Sequence, residues 1–117
     1  GLGIPAEPLF RSSYIEQLLT NKFLKKLSEQ ELSDLMTTSI TALEQISDWN
    51  ETNLKDTLND LLAKTGQKPA VLFSLIRIAI SFAPFSPSLD LTLNVLGKQV
   101  VLARLHKVAE ALHLDQQ

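Results

Sequence analysis

The 117-residue chain predicts an all-α fold, a bundle or cage of five or six helices, and three observations carry that expectation. Apolar residues recur at three- and four-residue steps along most of its length. Serine, asparagine, proline and glycine stand where helix starts and stops are needed. No stretch alternates apolar and polar residues as a half-buried strand would.

Taken in order, residues 1–12 read as an extended lead-in or linker, because Gly1, Gly3, Pro5 and Pro8 break any regular pattern. Residues 13–117 read as the helical domain, with a first portion at 13–47 and a terminal portion at 48–117. Ser13-x-x-Glu16 and Ser28-x-x-Glu31 have capping-box spacing, in which serine and glutamate each satisfy an otherwise unpaired backbone N–H, so a helix is expected to start at each. The second carries Leu32, Leu35, Met36, Ile40 and Leu43 on one face and is expected to last until about Ile46, where Ser47 and Asp48 interrupt it. A third, capped by Asn50 or Thr52, aligns Leu54, Leu58, Leu61 and Leu62 and stops at Lys64-Thr65-Gly66, glycine being suited to a left-handed cap. Pro69 fits the first turn of a fourth helix, where its missing N–H costs nothing. That helix is apolar nearly all round, as a central helix of a bundle is. Pro84 and Pro87 prevent its continuation; residues 89–96 form a short helix closed by Gly97, and residues 98–112 a last one with Val101, Leu102, Leu105, Val108, Ala109 and Leu112 inward.

Composition excludes several functions. Without cysteine there is no disulfide framework, thiolate metal site or cysteine nucleophile, which suits a reducing cytosol, and two histidines are too few for an ordinary structural zinc site. The longest apolar run, residues 70–83 with Arg77 inside it, is shorter than the roughly 20 residues that span a bilayer, and no signal-peptide pattern precedes it. A soluble, cytoplasmic monomer with no membrane partner is the expectation. The formal charge of −2 argues against indiscriminate coating of nucleic acid, which needs many cationic contacts. Residues 1–68 hold 7 basic against 10 acidic side chains, and residues 69–117 hold 4 against 3. The mild positive bias of the second half suits a site that reads a few unpaired bases. No glycine-rich phosphate loop, serine nucleophile with a nearby base or paired metal-ligand histidines are present, so no catalytic, cofactor or metal site is expected. Asp56 and Asp60, at i and i+4, read as a solvated helix face, as do the charges of Lys98, Arg104 and Lys107.

Arg77 is the residue that asks for an explanation. A guanidinium inside VLFSLIRIAISF has to reach a carboxylate, helix carbonyls, solvent or a ligand, since burying it unpaired is expensive. Ser74, Arg77 and Ser81, at i, i+3 and i+7, draw a polar stripe along the helix that faces either water or a groove. A pairing with a neighbouring helix and a contact with RNA both satisfy the guanidinium.

Four pieces of the second half resemble a known family. Leu75-Ile76-Arg77-Ile78-Ala79, then Ser86-Pro87-Ser88-Leu89, then Leu96-Gly97-Lys98, then Arg104-Leu105 are similar, in order and spacing, to the anticodon-binding end of bacterial-type glutamyl-tRNA synthetases, class I aminoacyl-tRNA synthetases. The family pattern reads Leu-Arg-x-Ala-(Leu/Phe)-Thr-Gly, a loop with Pro-x-Leu, then Leu-Gly-Lys and Arg-Leu. Upstream, Trp49-Asn50-Glu51 and Thr65-Gly66-Gln67-Lys68 look like the preceding helix and loop. The resemblance covers residues 40–112 well and residues 9–39 with less specificity.

That resemblance implies RNA contacts by Arg77, Ser86, Pro87 and Leu89, which match the family's anticodon-contacting positions. A guanidinium stacks on or hydrogen-bonds to a splayed base, a hydroxyl donates or accepts, and proline and leucine offer apolar surface to base faces. From the residues alone, Ser86 and Pro87 also suit a helix start, Leu89 a core position and Gly97 a helix stop. The implied partners are the anticodon loop of tRNA(Glu) and the N-terminal catalytic domain of a parent chain. The parent would use ATP and Mg²⁺ as a glutamate-tRNA ligase. The His-x-Gly-His and Lys-x-Ser-Lys signatures of that chemistry are absent here, so this piece is expected to bind no cofactor and to catalyse nothing alone. Two departures stand out. Phe82 replaces the family's glycine, offering with Phe85 a further stacking surface, and Asp90 arrives earlier than the family's acidic residue. The competing readings are the anticodon domain of a class I lysyl-tRNA synthetase and a helical protein-interaction module docking through the Phe82 to Phe85 turn.

Overall fold

Six helices form the fold of the computed structural model, which describes residues 16–81 and 88–115. They are α1 (residues 16–20), α2 (Glu29–Glu44), α3 (Glu51–Thr65), α4 (Pro69–Ser81), α5 (Leu89–Leu96) and α6 (Lys98–Asp115), with no strand among the described residues. Ser13 lies outside them, so its capping box does too; the expected bundle of five or six helices is otherwise found.

The boundaries follow local chemistry. At the start of α2 the Ser28 hydroxyl accepts the Glu31 N–H at 3.1 Å and Glu31 Oε1 accepts the Ser28 N–H at 3.0 Å, so the capping box is complete. Its inward face, Leu32, Leu35, Met36, Ser39, Ile40 and Leu43, follows the 3.6-residue period, and the Ser39 hydroxyl is satisfied by the Leu35 carbonyl at 2.8 Å. The helix ends at Glu44 with Gln45 as cap, two residues before the end expected from the sequence. Ile46 is nonetheless buried, because the turn that follows folds back onto the core. Asn50, not Thr52, caps α3, its side-chain oxygen accepting the Asn53 N–H at 2.8 Å. Pro69 opens α4, and α6 runs to Asp115, three residues past the expected end at Leu112.

One continuous apolar cluster joins the helices, from Leu18 of α1 through Met36, Leu54, Leu75 and Leu93 to Leu105 and Leu112 of α6. The most extensive packing is between α2 and α6, and α3 packs chiefly on α5. Hydrophobic burial of this kind supplies most of the stability. The helix ends are tied down by polar contacts that span long stretches of sequence. Trp49 Nε1 donates to the Leu93 carbonyl at 3.0 Å, Lys98 Nζ to the Ile46 carbonyl at 2.6 Å, and Arg104 Nη1 to the Ile80 carbonyl near the end of α4. Lys98 and Arg104 are therefore more than solvated charges: each donates to a main-chain carbonyl, and each places its cation at a helix or turn end where the backbone is partly negative.

Gly66 and Gly97 end α3 and α5 with φ of +72° and +89°. Their ψ values separate them. Gly66, at ψ 11°, is in the left-handed helical region that other residues enter at modest cost, whereas Gly97, at ψ 155°, is in a region essentially confined to glycine. A Cβ at either position meets nothing within 4 Å, so the backbone conformation alone sets the cost. Gly97→Ala is expected to lose about 2–3 kcal/mol and Gly66→Ala about 1–2 kcal/mol, measured by denaturant unfolding. An equal loss at both positions would contradict this assignment.

Candidate nucleic-acid interface

Three helix surfaces meet at a depression of about 290 Å³. Lys55, Leu58 and Asn59 of α3, Phe73 and Arg77 of α4, and Ser88, Leu89 and Asp90 at the start of α5 line it. Helical spacing brings two of these pairs together: Lys55 with Asn59 and Phe73 with Arg77 are each at i and i+4, on one face of their helix. Proximity of the α5 start follows from its packing on α3.

Arg77 is half-buried, its guanidinium carbon 6.0 Å from the centre of the Phe73 ring. This is the outer range of a cation–π contact and holds a planar cation beside an aromatic face. The polar stripe expected along α4 divides. Ser74 is 3% exposed and belongs to the interior, where no described buried side-chain oxygen or nitrogen lacks a hydrogen-bond partner. Arg77 faces the depression. Leu89 is 3% exposed and is part of the core, so it lines the depression from below. Ser86 and Pro87 lie outside the described residues.

Local chemistry at the start of α5 adds a carboxylate. Ser88 occupies the N-cap, yet its hydroxyl donates to Asp90 Oδ1, while its carbonyl accepts the Thr92 N–H and hydroxyl, each at 2.9 Å. The Ser88 hydroxyl is the main cause holding the Asp90 carboxyl below its ordinary value. Partial burial opposes it, and main-chain N–H groups and the charge of Lys55 add to the lowering. Asp90 is thus ionised throughout the neutral range. Sequence reading did not place Lys55, Asn59, Phe73 or Asp90 at a site. The only local signals were two polar and aromatic pairs at i, i+4, which solvated helices also show.

A second, larger depression of about 490 Å³ lies between the end of α2 and α3. Its wall carries Asp48, Asp56 and Asp60 against Lys64 alone. Three carboxylates repel a polyphosphate backbone, whereas the smaller depression sets Lys55 and Arg77 against Asp90. Charge, rather than size, makes the smaller one the candidate for nucleic acid. Among the described residues no helix is long and apolar enough to cross a membrane.

Comparison with known proteins identifies the family. A family model described as an anticodon binding domain matches residues 6–109. A glutamate–tRNA ligase of Prosthecochloris aestuarii is 38% identical over 82 residues, covering 70% of this chain and 16% of its own length. One from Bifidobacterium longum is 36% identical over 91 residues, covering 75% of this chain and 18% of its own length. A glutamate–tRNA ligase sequence of Staphylococcus xylosus is 30% identical over 104 residues, covering 89% of this chain and 85% of its own length. The chain thus spans less than a fifth of the first two relatives. With the family model matching most of the chain and the last relative covered nearly throughout, the chain belongs to the anticodon binding domain family, within the glutamate–tRNA ligases.

Proposed function

We propose that this chain binds the anticodon loop of tRNA(Glu) as part of a cytoplasmic glutamate–tRNA ligase, and that a catalytic domain elsewhere in the parent, using ATP and Mg²⁺, attaches glutamate to that tRNA. In this reading residues 13–117 act as one monomeric binding domain with no chemistry of their own. The observation that carries it is the position of Arg77 on the wall and Leu89 at the base of one depression, with Phe73 and Lys55 beside them. A splayed base entering there meets a planar cation, an aromatic ring and apolar surface, the combination that single-stranded RNA bases favour. Ser86 and Pro87, next in sequence to Ser88, are proposed to contact the same anticodon loop.

The relatives named above are glutamate–tRNA ligases, which favours tRNA(Glu) over the tRNA of a class I lysyl-tRNA synthetase. Electrostatics separates an RNA site from an apolar docking site. With two or three cations engaged, affinity for a tRNA(Glu) anticodon stem-loop should fall roughly 5- to 20-fold between about 50 and about 200 mM salt. A stem-loop with a permuted anticodon should bind more weakly at every salt concentration. Equal affinity for the two loops, or affinity indifferent to salt, would refute the proposal.

A further inference from the structure

Two hydrogen bonds join the same two segments in opposite directions. From the turn between α2 and α3, Trp49 Nε1 donates to the Leu93 carbonyl of α5 at 3.0 Å; from the head of α6, Lys98 Nζ donates back to the Ile46 carbonyl of that turn at 2.6 Å. Neither Trp49 nor Lys98 lines the depression, and both are half-buried, with the Trp49 ring packed against the core. The Leu93 carbonyl also accepts the Gly97 N–H at 3.1 Å, the ordinary helical bond, so it is satisfied without the indole. What the indole adds is position. Trp49 directly precedes Asn50, the cap of α3, and Lys55 of the depression stands within the next two turns. On the other side, α5 has only eight residues, and Leu93 lies one turn, roughly 6 Å, beyond Leu89. A helix that short moves as one body, so bonds on its second half fix where Ser88, Leu89 and Asp90 stand opposite α3.

Taking the anticodon-loop reading as its basis, we propose that Trp49 and Lys98 form a clasp that holds α5 against the start of α3 and so keeps the α5 wall of the depression in its RNA-binding place. They are positioning residues, acting on the loop through α5 and touching no RNA. Gly97 belongs to the same device. It is the single residue between α5 and α6 and lies in a backbone region essentially confined to glycine, so the direction from which Lys98 reaches back is set within one residue of the end of α5.

The test has to separate positioning from general stability and from a direct phosphate contact by Lys98. Trp49→Phe keeps an aromatic ring on the core and removes the indole donor; Lys98→Met keeps the unbranched stem and removes the cation; Lys98→Arg keeps a donor. Affinity of the full chain and of each variant for the tRNA(Glu) anticodon stem-loop would be measured at about 15 °C between about 50 and about 200 mM salt, beside thermal melts. Trp49→Phe and Lys98→Met should each bind about three- to tenfold more weakly while folded, the fold-change that one net hydrogen bond can cause. Their salt dependence should match that of the unaltered chain, because no phosphate contact is lost. Lys98→Arg should recover most of the affinity, and the double variant Trp49→Phe with Lys98→Met should lose less than the product of the single losses, because either change opens the clasp. Leu105→Ala is the stability control: buried in the core and away from the clasp, it should bind the loop as the unaltered chain does wherever it is folded. Affinity unchanged within about 1.5-fold in both Trp49→Phe and Lys98→Met would overturn the proposal, as would an equal loss in folded Leu105→Ala. A shallower salt dependence in Lys98→Met, with Trp49→Phe unaffected, would overturn it too by making Lys98 a phosphate contact. Each of these leaves the proposed function standing, whereas an unaltered chain that binds no loop removes both.

Discussion

Arg77→Ala is expected to weaken binding of the tRNA(Glu) anticodon stem-loop by roughly 5- to 150-fold, about 1–3 kcal/mol, the range for one lost base contact. The fold should survive the change. Arg77 is half-buried, its contact with the Phe73 ring is worth on the order of 1 kcal/mol at a partly exposed site, and alanine is the best helix former. Lys64→Ala removes the same charge from the acidic depression instead and should change affinity by less than about twofold. Isothermal titration of the three proteins, beside their thermal melts, checks the prediction. Equal effects of the two substitutions would mean that net charge, and not the site around Arg77, governs binding.

Leu105→Ala is expected to cost about 2–5 kcal/mol and to lower the melting temperature by roughly 8–20 °C. Leu105 is fully buried on α6, which packs most extensively against α2, and removing its side chain leaves a cavity in the shared apolar core. Of a total stability on the order of 5–15 kcal/mol, that is a large fraction. Because the depression is built from α3, α4 and α5, the discrimination between loops should be unchanged at temperatures where the variant is folded. Differential scanning calorimetry, with loop binding at about 15 °C, gives both readouts.

What the sequence makes legible in this protein is whatever is decided within a few residues. The Ser28–Glu31 box, the Asn50 cap, Pro69 at the head of α4 and the glycine stops at Gly66 and Gly97 are local hydrogen-bond and φ/ψ requirements, and the helix order follows from them. Arg77 was legible as an anomaly, because a charge in an apolar helix needs a partner wherever the helix lies. Its surroundings were not. Ser74 looked like part of the same polar stripe, yet its side chain turns to the interior, where a hydroxyl is satisfied at little cost. Lys98 and Arg104 resembled any solvated cation on a helix, since their acceptors, the carbonyls of Ile46 and Ile80, are 52 and 24 residues away. The α3 wall, Lys55 and Asn59, has the same composition as a wet surface and gains meaning only when α5 is packed beside it. Contacts of that kind depend on helix placement, which period and capping do not encode.

The depression also explains why the start of α5 matters more than its length. Eight residues give the helix two turns, but Ser88, Leu89 and Asp90 place a hydroxyl, a core anchor and a carboxylate at one corner of the site. Leu89, held in the core, fixes the height at which Asp90 emerges. Gly97 and Lys98 at the other end set the direction in which α6 returns across α2 and α4. Sequence motifs at residues 86–89 and 96–98 thus bracket a single rigid element that carries one wall of the site.

The most direct measurement is an amide NMR titration of the labelled chain with the tRNA(Glu) anticodon stem-loop. The largest shift changes are expected at Lys55, Asn59, Phe73, Arg77 and residues 88–90, with Thr41, Asp48, Asp56 and Asp60 little affected. Changes centred instead on the acidic depression, or on the exposed apolar side chains of Leu91, Val95 and Val100, would contradict the proposed site.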